Sequence, residues 1–166
     1  MEATTIPELS IVIATDAVAT IRKTLRYLQA QGDPARLEIV IAALGETPLS
    51  TDAPELQCFP RVRVVYTSDA IDLARAELAA FRAATARYVV FGESCSYPQP
   101  GFVDAIVEAG RSERWAVIGP AMANSNPASA TSWAAMWINY GPFFHTDQRG
   151  PVDLLPGHDS AYQRSV

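Results

Sequence analysis

The chain has 166 residues, 49% of them hydrophobic and 19% charged, with a formal net charge of −5. That length suits one domain with a substantial core and is too short for two of comparable size; the composition excludes the polar, charge-rich balance of a disordered chain. An acidic average excludes a broad phosphate-neutralising surface, so nucleic acid is not an expected partner, whereas a nucleotide pocket needs only one or two well-placed cations.

Met1 to Glu8 holds two acids and no basic segment followed by an apolar one, so no leader is expected. Leu9 to Ala14 (LSIVIA) is a β-branched apolar run that meets Thr15 and Asp16, the pattern of a strand buried on both faces. Val18, Ile21, Leu25 and Leu28 then recur at helical spacing, with Arg22, Lys23 and Arg26 between them, until Gly32 and Pro34 end the pattern. Leu37 to Ala43 (LEIVIAA) predicts a second strand, Val62 to Tyr66 a third, and Ile71, Ala74, Leu78 and Phe81 a second helix. Arg87 to Gly92 predicts the fourth strand, Phe102 to Arg111 a helix, and Trp115 to Pro120 a fifth strand.

Strands alternating with helices favour an α/β class with parallel pairing by crossovers, and residues 1–166 read as one domain. From Ala121 the texture changes. A turn at Asn124, Asn126 and Pro127 precedes a short aromatic helix around Trp133, Met136, Trp137 and Tyr140, and Gly141 to Gly157 reads as a loop. Ala161 to Val166 (AYQRSV) reads as the start of an element that does not continue.

Only Cys58 and Cys95 occur, with no Cys-x-x-Cys pair, so neither a disulfide framework nor a zinc site is expected, and a reducing cytoplasm fits best. Cys95 with His145 and His158 follows no recognised zinc spacing. No stretch reaches the roughly 18 apolar residues that span a bilayer.

In an open parallel sheet, ligands bind beyond the carboxyl ends of the strands. That rule selects Thr15 and Asp16, then Leu44 to Glu46, Thr67 to Asp69 and Glu93 to Ser96. Asp16, Glu46, Asp69 and Glu93 would form an acidic rim suited to a hard divalent cation, Mg²⁺ or Mn²⁺, bridging carboxylates to phosphates. The same acids equally describe helix caps and solvated loops. No Gly-x-Gly-x-x-Gly or Gly-x-x-x-x-Gly-Lys-Ser/Thr follows a strand, which disfavours a dehydrogenase or a P-loop ATPase.

Several ordered blocks resemble the family 2 glycosyltransferases. They are Leu9-Ser-Ile-Val-Ile-Ala-Thr15-Asp16 with the helix ending Leu25-Arg-Tyr-Leu-Gln-Ala-Gln31, then Leu73-Ala-Arg75, then Ala84-Thr-Ala-Arg-Tyr-Val-Val-Phe91-Gly-Glu93 followed by Pro98-Gln-Pro-Gly-Phe102. Leu155-Pro-Gly-His-Asp-Ser-Ala-Tyr162-Gln-Arg164 resembles the Pro-Gly-Asn-x-x-Tyr-x-Arg stretch of some bacterial members. The resemblance implies a Rossmann-like GT-A fold, a mostly parallel central sheet with helices on both faces, ended before the part that usually completes the active site. It implies metal-assisted transfer of a sugar from a nucleoside-diphosphate sugar to an unknown acceptor. By position, Thr15 and Asp16 would border the nucleoside, Arg75 would lie near the diphosphate, and Glu93 would hold the cation.

Three departures accompany the match. The acidic pair that usually ends the second strand reads Ala42 and Ala43; the Asp-x-Asp position reads Glu93-Ser94-Cys95, placing a soft thiol where Mg²⁺ wants a carboxylate; and the acidic motif that supplies the base lies beyond Val166 in family members. Asp159 is the one acid near the end that resembles a general base, although beside Gly157 it equally fits a turn residue. Trp133, Trp137 and Tyr140 share a helical face. On spacing alone that face reads first as a core anchor and second as an acceptor-side platform, with Trp137, Tyr140 and His158 on the acceptor side. If exposed, it would invite self-association or a further segment. The alternative function is a degenerate, non-catalytic GT-A module that binds or scaffolds.

Overall fold

The computed structural model describes residues 6–45, 47–67, 72–112, 114–144 and 149–165. In chain order it contains β1 (Leu9–Thr15), α1 (Val18–Gln29), β2 (Leu37–Ala43), α2 (Pro54–Gln57), β3 (Val62–Val65), α3 (Leu73–Ala83), β4 (Tyr88–Gly92), α4 (Phe102–Arg111), β5 (Val117–Ile118), α5 (Ala130–Tyr140) and β6 (Ala161–Gln163). Single 3₁₀ turns lie at Pro34–Arg36 and Gly141–Phe143. The strands form one sheet in the order β3-β2-β1-β4-β6-β5. The first four are parallel.

The two-residue period of the central strands divides the core between the faces of the sheet. Leu9, Ile11 and Ile13 of β1, with Ile39 and Ile41 of β2, pack in one cluster with Ile21, Leu25 and Leu28 of α1 and Val103 and Ile106 of α4. Val12, Val40, Ala42 and Val89 face the other way, onto Ala76 and Ala80 of α3 and onto Ala84. Each buried Ile, Leu or Val contributes roughly 1.5–3 kcal/mol relative to exposure. Small alanines at positions four apart let α3 lie close to β1 and β2.

Glu38 interrupts this apolar pattern. It pairs in register with Ser10 and is only 3% exposed. Its Oε2 accepts hydrogen bonds from Ser10 Oγ at 2.5 Å, the Thr85 amide at 2.7 Å and Thr85 Oγ1 at 3.0 Å, while Ser10 Oγ accepts from the Ala86 amide at 3.0 Å. The carboxylate therefore clips the α3–β4 turn to the amino end of the sheet, where its desolvation is offset by three donors.

Most predicted elements stand where the periodicity puts them, with small changes at the ends. Tyr66 falls just outside β3, where its hydroxyl accepts from the Leu49 amide. Helix α3 starts at Leu73 because Asp72 caps it, accepting from the Arg75 amide at 3.2 Å; Ile71 lies outside the described residues. The fifth strand shrinks to Val117–Ile118 and does not pair with β4. In its place the terminal Ala161–Gln163 enters as an antiparallel strand, with Val89 opposite Tyr162 on one side and Val117 opposite Tyr162 on the other. Tyr162 meets Phe91 edge to face at 5.6 Å, and Phe91 stacks on Phe81 at 5.7 Å. What reads in the sequence as an unfinished element is thus a strand inside the sheet.

Candidate functional site

Ile13 of β1 lies opposite Gly92 of β4, so Thr15 and Glu93 emerge side by side at the carboxyl edge of neighbouring strands. Thr15 is buried, and its Oγ1 accepts from the Ala17 amide at 3.2 Å and lies 2.7 Å from Thr20 Oγ1. Its hydroxyl therefore organises the entry to α1, whose N-cap Ala17 has no capping side chain. Asp16 beside it is exposed.

Glu93 is the centre of the edge. Its Oε2 accepts from the Tyr140 hydroxyl at 2.9 Å, and its Oε1 lies 3.1 Å from His158 Nδ1. Burial, followed by the hydrogen bond to Glu93 and the negative charge there, pushes the Tyr140 phenol far above its usual range, so it is a fixed donor. His158 Nε2 lies 3.5 Å from Glu77 Oε1, which joins α3 to the same cluster. Thr24 of α1 holds the loop after β4 from below, its Oγ1 within 3.1 to 3.3 Å of the carbonyls of Glu93, Ser94 and Ser96.

The insertion of β6 is what delivers His158 and Asp159. The Asp159 amide donates to the Phe91 carbonyl at 2.7 Å, one step past the Val90 and Ala161 pair. Asp159 adopts a left-handed backbone with φ of 62°, and its Oδ2 accepts from Ser96 Oγ at 2.6 Å. Burial pushes its carboxyl upward, the Ser96 bond pulls the other way, and the charge of Glu93 adds to the rise. Two carboxylates, from Glu77 and Glu93, therefore flank the His158 imidazole, while the Asp159 carboxyl is turned to Ser96.

A resident divalent cation does not fit this arrangement. Both oxygens of Glu93 face protein donors, and desolvation followed by the Glu93 charge pushes the Cys95 thiol, 3.9 Å from Glu93 Oε2, toward its protonated form. Among the described residues no three His, Cys, Asp or Glu side chains converge to hold a metal. Of the expected acidic rim, Glu46 and Asp69 lie outside the described residues, as does His145.

Glu93, Tyr140, His158, Asp159 and Cys95 are brought together. Arg75 stands at the start of α3, two-thirds exposed, with its Nε 3.1 Å from Asp72 Oδ2. Trp137 lies one turn before Tyr140 on α5, and the core-anchor reading of that helix is overturned: none of its residues is buried. Its spacing satisfies a helical face, but Phe144 is what Trp133 and Trp137 meet. Glu77 and Thr24 carry no signal in the sequence, whereas Ser96 lies in the stretch that the carboxyl-edge rule selects.

No family model and no curated protein matches the chain. Solved structures do. The chain superposes on residues 1–349 of TarS from S. aureus with a TM-score of 0.66 and 13% identity, covering 95% of this chain and 47% of that one. The mannosyltransferase PcManGT from Pyrobaculum calidifontis, in complex with GDP-Man and Mn²⁺, gives 0.65 and 15%, covering 98% and 46%. TarS 1–349 in complex with UDP-GlcNAc gives 0.64 and 11%, covering 95% and 46%. The chain has the GT-A fold of these glycosyltransferases and spans about half their length. No helix among the described residues is long and apolar enough to cross a membrane.

Proposed function

We propose that the chain is the donor-side domain of a glycosyltransferase of the family 2 kind, binding a nucleoside-diphosphate sugar at the carboxyl edge of β1 and β4. The observation that carries this reading is the convergence of Glu93, Tyr140, His158 and Asp159 beyond those strands, in a GT-A fold whose neighbours include complexes with UDP-GlcNAc and GDP-Man. Ligands of open α/β sheets bind at that edge. Thr15 and Asp16 border the nucleoside, the first by fixing the β1–α1 turn rather than by its hydroxyl, and Arg75 supplies positive charge for the diphosphate.

Transfer breaks the bond between the anomeric carbon and the diphosphate oxygen and forms one to an acceptor hydroxyl, whose proton must go to a base. Asp159 is the acid at the edge whose pKa burial raises, which suits it to that role better than an ordinary carboxylate. In this reading Glu93, which faces Tyr140 and His158, orients them in place of holding the Mg²⁺ or Mn²⁺ that its position implies. Two exposed free thiols, Cys58 and Cys95, support a reducing compartment such as the cytoplasm.

The second reading, a binding or scaffold module without catalysis, is favoured by the engagement of both Glu93 oxygens and by Cys95. Calorimetric titration of the folded chain with UDP-, GDP- and TDP-sugars, with and without Mn²⁺, tests the donor site. Binding of at least one nucleotide sugar, weakened about tenfold by Glu93→Ala, is the expected result. A folded protein that binds none of them refutes both the donor site and the transferase reading.

A further inference from the structure

A second surface lies next to the donor edge. From Trp115 to Phe144 there is no Asp, Glu, Lys or Arg, in a chain with 18 acidic and 13 basic residues. Helix α5 comes from this stretch, and its aromatic rings are exposed yet fixed. Trp133 and Trp137, one turn apart, both pack on Phe144, with ring centroids 6.0 and 4.8 Å away. Trp133 Nε1 donates to the Pro127 carbonyl at 2.9 Å. The six-membered ring of Trp137 lies over Gly141, where a Cβ would come within 3.2 Å of it. Trp137 nevertheless remains 59% exposed. One turn further along the same helix, the Tyr140 hydroxyl is held on Glu93.

The chemistry of this face selects its occupant. A lipid surface is normally met by aromatic residues flanked by Lys and Arg, and a polyanion needs cations; this stretch has neither. An uncharged sugar asks for something different: a rigid aromatic face for its C–H surface and amides for its hydroxyls. Trp137 offers the first, and the exposed Asn126, beside the Pro127 whose carbonyl holds Trp133, offers the second. Because the rings are already immobilised by Phe144, Pro127 and Gly141, little order is lost on binding.

We infer that Trp137, backed by Phe144 and Trp133, is a stacking platform for an uncharged glycan, held one helical turn from the Glu93 edge. Its role as the acceptor subsite rests on the donor-site reading above; its capacity to bind a glycan does not. The test is calorimetric titration of the full chain with the neutral trisaccharides maltotriose, cellotriose and chitotriose and with the anionic trigalacturonate. Parallel titrations use UDP- and GDP-sugars, and sedimentation gives the oligomeric state. At least one neutral trisaccharide is expected to bind, and Trp137→Ala to weaken it about tenfold while leaving nucleotide affinity within about twofold. Trp137→Phe, which keeps an aromatic face, retains part of the affinity and serves where the alanine variant misfolds.

Failure of all three neutral sugars, preference for trigalacturonate, or binding indifferent to Trp137→Ala would each overturn the platform. So would a dimer that Trp137→Ala dissolves, since the face would then belong to a second copy. Glycan binding that depends on Trp137 in a chain that binds no nucleotide sugar sustains the platform and removes the donor site; nucleotide binding without glycan binding does the reverse.

Discussion

Asp159→Asn separates charge from geometry at the candidate site. Asp159 accepts from Ser96 Oγ through Oδ2, donates its amide to Phe91 and sits at a φ of 62°. Asparagine can accept the same Ser96 bond through its amide oxygen and tolerates a left-handed backbone at least as well as aspartate. What the substitution removes is the charge, which burial and Glu93 both disfavour. Since the folded-state pKa is raised above the unfolded one, the native chain holds the proton where the unfolded chain has released it. Stability from this group is therefore full below the unfolded pKa, near pH 4, and falls as pH rises through the folded value. Each unit of displacement corresponds to about 1.4 kcal/mol. The partial exposure of Asp159 limits the gain from Asp159→Asn at neutral pH to about 1 kcal/mol, vanishing near pH 4. Urea unfolding of both proteins, followed by circular dichroism between about pH 4 and about pH 8, measures the difference directly. A variant that is less stable at every pH, or a difference that does not change with pH, refutes the claim that the carboxylate is held at a cost.

Two further substitutions test how the edge is supported. Glu38→Ala strands the buried Ser10 hydroxyl and releases the Thr85 bonds that tie down the α3–β4 turn, and it is expected to destabilise the chain by about 2 kcal/mol in urea unfolding, whereas a loss below about 0.5 kcal/mol would show that the clip contributes nothing. At Gly119, just past β5, an added Cβ would clash with Leu155 Cδ2 and lie 3.2 Å from Ser160 Oγ. Gly119→Ala should therefore cost about 1–2 kcal/mol by displacing the segment that leads into His158 and Asp159. That cost should fall to near zero in a Leu155→Ala background if the clash is its cause, and an undiminished cost in the double variant would place the cause elsewhere.

The parts of the fold legible in the sequence were those written in local periodicity. LSIVIA and LEIVIAA become two central strands because unbroken β-branched runs fit a sheet covered on both faces, and the spacing of Ile21, Leu25 and Leu28 becomes the buried stripe of α1. The carboxyl-edge rule likewise selects Glu93, which directly follows β4 at that edge. What stayed hidden depended on pairing between distant segments. A three-residue strand such as Ala161–Gln163 is too short to have a period, and nothing local says that it will enter between β4 and β5. Yet that insertion decides the site, because it swings the Pro156–Asp159 loop over the end of β4, where His158 meets Glu93 and Asp159 meets Ser96.

The aromatic helix departs from its expected burial for a related reason: the spacing of Trp133 and Trp137 specifies a face, while only the tertiary structure specifies what covers it. Nothing in α5 is buried, and Tyr140 ties the helix to the edge through a hydroxyl rather than through packing. Glu93 is consequently held by partners from two segments far apart in sequence, α5 and the loop before β6. Its character as a hydrogen-bonding hub, rather than as one acid of an Asp-x-Asp pair, follows from how the chain closes on it.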